Sequence, residues 1–220
     1  MSQRKGFDSE LGDLNNSLMI MCGQIECMYD NLFQSYKKKE KESINVIIKN
    51  ERVIKDMERK IESKCLLLIT RQQPVANDLR NVSAALKVVT DLQRSGEHVI
   101  DMAELLLRME LQDMSGYTKK LEAMIVATRK MIRNAVDAFI DRDTQLAARN
   151  IEADDEVDEM FNAVKLELIH ALKEENADPD MCVDILMVAK YLEKIADHAV
   201  NISEWTIFEK TGEYENIQVY

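Results

Sequence analysis

The sequence predicts an all-α protein built as two tandem three-helix bundles, and three observations carry that prediction. Turn-forming residues are scarce, with six glycines and two prolines in 220 residues, too few to punctuate a sheet. Long stretches rich in Leu, Met, Ala, Glu and Lys favour helix, both by propensity and by the spacing of apolar positions. The chain also repeats itself: at an offset of 100, Leu86 to Glu104 falls on Leu186 to Glu204. Leu86/Leu186, Val88/Val188, Leu92/Leu192, His98/His198 and Glu104/Glu204 are identical pairs at helical spacing.

The breakers place the elements. Pro74 and Pro179 each follow one helix and open another, and Asp178-Pro179 reads as an N-cap with proline at the first helical position. Gly116 separates the halves, 1–114 and 115–220. Helices are expected near 8–40, 42–71 and 75–112 in the first half, and near 117–142, 144–174 and 179–211 in the second. Short connections make each half an antiparallel three-helix bundle. The repeat extends to the middle helices, where Glu51–Lys55 falls on Asp154–Asp158 at an offset of 103. Pro74 lies farther before Gln93 than Pro179 does before Glu193, so the third helix carries about one extra turn at its start.

Composition narrows the function. A net charge of −11 and a pI near 4.9 argue against a nucleic-acid binder, which needs a basic face for phosphates. The one basic run, Lys37-Lys38-Lys39, ends the first helix, where it complements the dipole in solvent. Cys22, Cys27, Cys65 and Cys182 show neither CxxC spacing nor a dense framework, and read as small core residues in a reducing compartment. The N-terminal MSQRKGFDSEL has no apolar signal region. Apolar runs such as Cys65 to Ile69 fall far short of the roughly 20 residues of a membrane span. The expected location is the cytosol.

The chemistry gathers on acids placed where a helix should pack. With Glu193 at zero on the last helix, Asp197 lies at about +40°, Leu186 at about +20°, and Cys182 and Val200 at about −20°. Asp154 and Asp158, also four apart, share a sector of their helix with Phe161 and Ile169. A carboxylate set among apolar residues must protonate or find a cation. Lys165 lies on the same side but is a single charge. Two such pairs on adjacent helices can converge as an all-oxygen nest for a divalent or trivalent ion, Mg, Ca, Mn or Fe, with Zn also accommodated. The alternative is an edge of the bundle, where the acids form salt bridges or face water. The first-half counterparts are Glu51, Lys55, Gln93 and Glu97: one acid has become a cation and another an amide. That half is expected to bind metal weakly, or to replace it with an internal Lys55 ion pair.

Other motifs are weaker. His198 lies near +140° on the last helix, away from the acids, and reads as a packing residue. Glu167 and His170 have the E-x-x-H spacing of di-iron bundles, but they lie across their helix from Asp158, and the second motif and added glutamates are missing. The 13 methionines read as core filler. No Ser-His-Asp or Cys-His arrangement or glycine-rich phosphate loop stands out, so no catalytic residue is named. The classes that remain are a signalling adaptor, a metal-dependent enzyme acting on phosphorylated substrates, and a metal-free helical scaffold.

The run from Tyr191 to Trp205 (YLEKIADHAVNISEW), followed by Thr211-Gly212-Glu213, resembles the C-terminal signature of the PhoU family, accessory regulators of phosphate-specific transport. Gln72 to Arg80 resembles that family's start of the third helix, and Phe7 to Leu11 its N-terminus, so the likeness spans residues 7 to 213. The resemblance implies two similar bundles whose E/D-x-x-x-D motifs hold iron or zinc. It implies a non-enzymatic, cytosolic, often dimeric regulator that reaches the membrane only through partners. These are the ATPase subunit of the phosphate ABC transporter and a sensor histidine kinase, and the regulator represses phosphate-starvation genes. The matching metal positions are Asp154, Asp158, Glu193 and Asp197, with Glu51 and Glu97 in the first half; Lys55 and Gln93 depart from the pattern.

Overall fold

The structure, a computed structural model, describes residues 2–74, 77–109, 118–175, 177–214 and 217–218. Eight helices follow one another among them: α1 (Ser2–Lys38), α2 (Lys41–Ile48), α3 (Glu51–Gln72), α4 (Asn77–Arg108), α5 (Thr118–Asp141), α6 (Thr144–Glu152), α7 (Asp154–Ala171) and α8 (Pro179–Thr211). Gly116 and the expected boundary at 114/115 lie outside the described residues. The all-α expectation holds. One addition is a two-residue antiparallel ladder, β1 (Glu213–Tyr214) with β2 (Ile217–Gln218), after α8.

Each half is a three-helix bundle whose middle helix is broken, and the breaks correct the expected continuous helices at 42–71 and 144–174. They fall at the same place in the repeat, Lys49–Asn50 and Ala153. Neither break contains glycine or proline, and the backbone stays right-handed, with φ −74° and ψ −6° at Asn50 and φ −69° and ψ −15° at Ala153. Asn50 instead competes for the helical ladder: its Nδ2 donates to Val46 O at 3.0 Å while its backbone N–H turns to Ile47 O at 2.9 Å. At the second break Asp154, Asp155 and Glu156 crowd the first turn of α7, where the exposed N–H groups favour negative charge. Just before it, buried Asn150 donates to Met131 O at 3.1 Å and to Ser203 Oγ at 3.0 Å.

Other boundaries follow local chemistry. Asp178 accepts from the Met181 N–H at 3.1 Å, with Pro179 in the first turn, so α8 starts as expected. It stops at Gly212, whose φ of +78° is the left-handed cap that glycine adopts without strain. Lys37 and Lys38 close α1 in solvent, and Lys37 Nζ reaches Glu122 at 2.8 Å.

Within the first half α1, α2 and α3 pack on α4; within the second, α5, α6 and α7 pack on α8. The most extensive helix pairing joins α4 to α8, and α1 also meets α5. Side chains such as Leu92, Val99, Leu192 and Ala199 are fully buried in one apolar core shared by both halves. Polar contacts pin the α1–α5 crossing. Tyr29 Oη, buried, donates to Ile125 O at 3.2 Å, Arg129 Nη2 meets Asp30 at 2.7 Å, and Arg133 Nε meets Glu26 at 3.2 Å. Three of the cysteines are buried as expected. Cys27 is not: it faces outward from α1, and its Sγ accepts from Asn31 at 3.4 Å.

Candidate functional site

The break at Ala153 makes Asp154 the first residue of α7, beside the middle of α8. There the four second-half acids share one electrostatic neighbourhood. Burial, first, and then the charges of Asp158, Asp197, Glu193 and Asp155 push the Asp154 carboxyl up to about 6. Asp154 Oδ1 is buried and has no hydrogen-bond partner. Glu193 is mostly shielded, its side chain 12% exposed, whereas Asp197 is 37% exposed. Asp158, one turn along α7, faces solvent. The packing-face expectation therefore fits Glu193 and Asp154 and fails for Asp158.

Two cations outside the acidic stripe also reach these acids, and both come from α8 itself. Lys190 Nζ lies 2.6 Å from Glu193, and Lys194 Nζ lies 3.5 Å from Glu193 and pairs with Asp197. Carboxylates, led by the Asp197 hydrogen bond, hold the Lys194 ammonium above its ordinary pKa. The signal was present as i,i+3 Lys–acid spacing. Lys165 turns away to Asn162 Oδ1 at 2.8 Å; it and Lys190 stand over the Phe161 ring, 5.7 and 5.3 Å from its centroid.

The first half is wired differently. Lys55 Nζ lies 2.6 Å from Glu51 Oε1 and 3.6 Å from Glu97 Oε1, spanning α3 and α4. Arg94 Nη1 takes the other Glu97 oxygen at 2.9 Å, and Gln93 is buried. Glu58, not singled out by the repeat because its counterpart is Phe161, is raised chiefly by burial and then by Glu62 and Glu97.

Hard oxygen donors, an orphaned buried Asp154 oxygen and excess negative charge make the second-half set chemically fit for a cation. Among the described residues, however, no three acidic, histidine or cysteine side chains stand together as an ion's ligands. Holding one requires Lys190 and Lys194 to swing away and the carboxylates to re-aim. The first-half set fits less well, because it offers only two carboxylates where the second offers four, and one ammonium bridges both of them.

The remaining sequence candidates are structural. His198 Nδ1 faces Asp91 Oδ1 at 2.9 Å, which also accepts from Asn201 at 3.1 Å. Glu167 pairs with Lys120 at 2.5 Å, and His170 is exposed, so that spacing assembles nothing. No helix among the described residues is long and apolar enough to cross a membrane.

Comparison with known proteins matches this architecture. The family model described as the PhoU domain matches twice, at residues 18–106 and 121–206. A phosphate-specific transport system accessory protein PhoU homolog of Clostridium acetobutylicum is 34% identical over 95% of this chain and 96% of its own length. A protein of the same description from Caulobacter vibrioides is 31% identical over 95% and 91%. Among solved structures, PhoU from Pseudomonas aeruginosa superposes with a TM-score of 0.87 at 27% identity, covering 94% of this chain and 99% of that one. The phosphate transport system regulatory protein PhoU from Streptococcus pneumoniae gives 0.87 at 25% identity, covering 96% and 100%. Two domain matches, one on each side of the α4–α8 seam, and relatives alike from end to end show that the chain belongs to the PhoU family.

Proposed function

We propose that this protein is a non-enzymatic accessory regulator of phosphate-specific transport. In this reading it works in the cytoplasm as a homodimer, touching the ATPase subunit of the phosphate ABC transporter and a sensor histidine kinase, and it represses the phosphate-starvation response. The observation that supports the reading is the end-to-end match to relatives described as accessory proteins of that system. Long helical faces suit relay by contact. Repression is tested by deleting the gene and measuring a starvation-gene reporter in high phosphate; expression unchanged from wild type would overturn it. Partnership is tested by co-purification, and recovery of neither ATPase subunit nor kinase would count against it.

The same reading gives the second repeat a metal ion. Asp154, Asp158, Glu193 and Asp197 would hold it, and bound there it would supply the positive charge that the Asp154 environment lacks. Glu193 and Asp154 anchor the shielded side, Asp197 and Asp158 the open side, and Lys190 and Lys194 cover the carboxylates until they are exchanged. Iron and zinc follow from the family resemblance; Mn, Mg and Ca share the oxygen preference. A ligand that binds only the folded state raises the unfolding midpoint. Elemental content and thermal midpoint therefore test the site together, and Asp154→Asn with Asp158→Asn should remove both signals.

A further inference from the structure

Equivalent places in the two repeats carry different chemistry. Lys55 stands where the second repeat has Asp158, and Gln93 where it has Glu193. The substitutions act together in space. Lys55 Nζ, 2.6 Å from Glu51 and 3.6 Å from Glu97, ties the start of α3 to the middle of α4. Arg94 closes the remaining Glu97 oxygen at 2.9 Å. Gln93 supplies a neutral amide at the buried position. Glu58, next along α3, feels Glu97 and Glu62, but it also feels Arg94 and Arg59.

We infer that the first repeat of this chain is a metal-free counterpart of the second, with the Lys55 ammonium standing permanently where an ion would be shared by Glu51 and Glu97. The inference rests on the metal reading of the second repeat given above. In the first repeat two carboxylates meet two cations, Lys55 and Arg94. In the second, four carboxylates meet two, Lys190 and Lys194. An incoming ion therefore finds a larger excess of negative charge among the four second-repeat acids than between Glu51 and Glu97. To enter the first it must expel Lys55, whose stem is rooted on the same helix as Glu51, and it gains only two charged ligands. The duplicated fold thus carries one exchangeable cation and one covalently tethered one. Metal depletion should loosen the second bundle and leave the first unchanged.

The test uses the full chain, purified without chelator and incubated with Mn, Fe or Zn separately, reading bound metal per chain and helix content. Glu51→Gln with Glu97→Gln should keep the wild-type metal content. Lys55→Asp with Gln93→Glu rebuilds the four-acid set and should add about as much metal as the wild-type second repeat holds. Lys55→Asp alone, which buries no new carboxylate at position 93, is the second variant and should gain a weaker site. Loss of metal on changing Glu51 and Glu97 overturns the inference. So does a folded Lys55→Asp protein, single or double, that takes up no more metal than wild type. If wild type binds no metal, the metal reading of the second repeat falls, while uptake by the Lys55 variants still decides the first-repeat inference.

Discussion

The imidazole rings of His98 and His198, equivalent residues of the two repeats, stack across the α4–α8 seam with centroids 5.5 Å apart and planes inclined by 24°. Tyr191 stacks on His98 as well, at 5.3 Å. Each histidine has its own carboxylate: Asp101 lies 3.3 Å from His98 Nδ1, and Asp91 lies 2.9 Å from His198 Nδ1. Burial, and then the neighbouring His198, lower the pKa of His98 from 6.5, against the opposing pull of Asp101 and Glu97.

The sign of the resulting pH dependence is fixed. The unfolded chain binds a proton on His98 more readily than the folded one, so this contribution is complete above about 6.5 and is lost as pH falls. Urea midpoints should drop between pH 7 and pH 5.5, and His98→Gln should flatten that drop. An unchanged slope in the variant would assign the effect elsewhere.

Asp154 titrates in the opposite sense. Its folded value, about 6 against an ordinary 3.8, means that ionised Asp154 costs stability, and the cost appears as pH rises through that window. At pH 7 without metal, Asp154→Asn should gain about 1 kcal/mol after allowance for solvent, a rise of roughly 2–4 °C in Tm. Below about pH 4 the gain should vanish. Differential scanning at the two pH values checks it; a loss at pH 7 would show that the carboxylate is compensated.

Lys194 competes with any cation for Glu193 and Asp197. Lys194→Gln should tighten metal binding roughly three- to tenfold, equivalent to about 0.7–1.4 kcal/mol, and destabilise the metal-free protein slightly. Isothermal titration of both proteins with the same ion measures the difference. Weaker binding in the variant would mean that the ammonium supports the site.

Gly96 occupies the place that Ala196 fills in the second repeat. A Cβ there would come within 3.1 Å of Ile54 Cγ2 and 3.5 Å of Ile25 Cγ1, where α1, α3 and α4 meet. Gly96→Ala sets helix propensity against this squeeze and should lie within about 1 kcal/mol of wild type. Gly96→Leu should cost about 1–3 kcal/mol by overpacking. Denaturant unfolding of the pair tests whether the contact is as tight as the geometry gives.

The fold was readable because duplication and helical period point the same way. The α8 limits followed from Asp178-Pro179 and Gly212, residues whose chemistry is local. The breaks at Asn50 and Ala153 were not readable, since they depend on a side chain competing for a carbonyl and on charge at a helix start rather than on glycine or proline. At the site, the i,i+4 acids were visible, and so was Lys55 as a replacement. The role of Lys190 and Lys194 is less legible, because each is rooted off the acidic face and reaches it only by bending back to an acid three residues away.

The seam between α4 and α8 leaves neither bundle with a finished exterior. Severing the chain between residues 109 and 118 would strip a long helix bare along one side in each fragment, and would leave Asp91 without its imidazole and amide. Each fragment's most economical remedy would be to close on another copy of itself, since the two helices share spacing and matching histidines. The molecule has the build of a symmetric pair joined in one polypeptide, in which each half supplies the other with the cover that a second copy would otherwise provide.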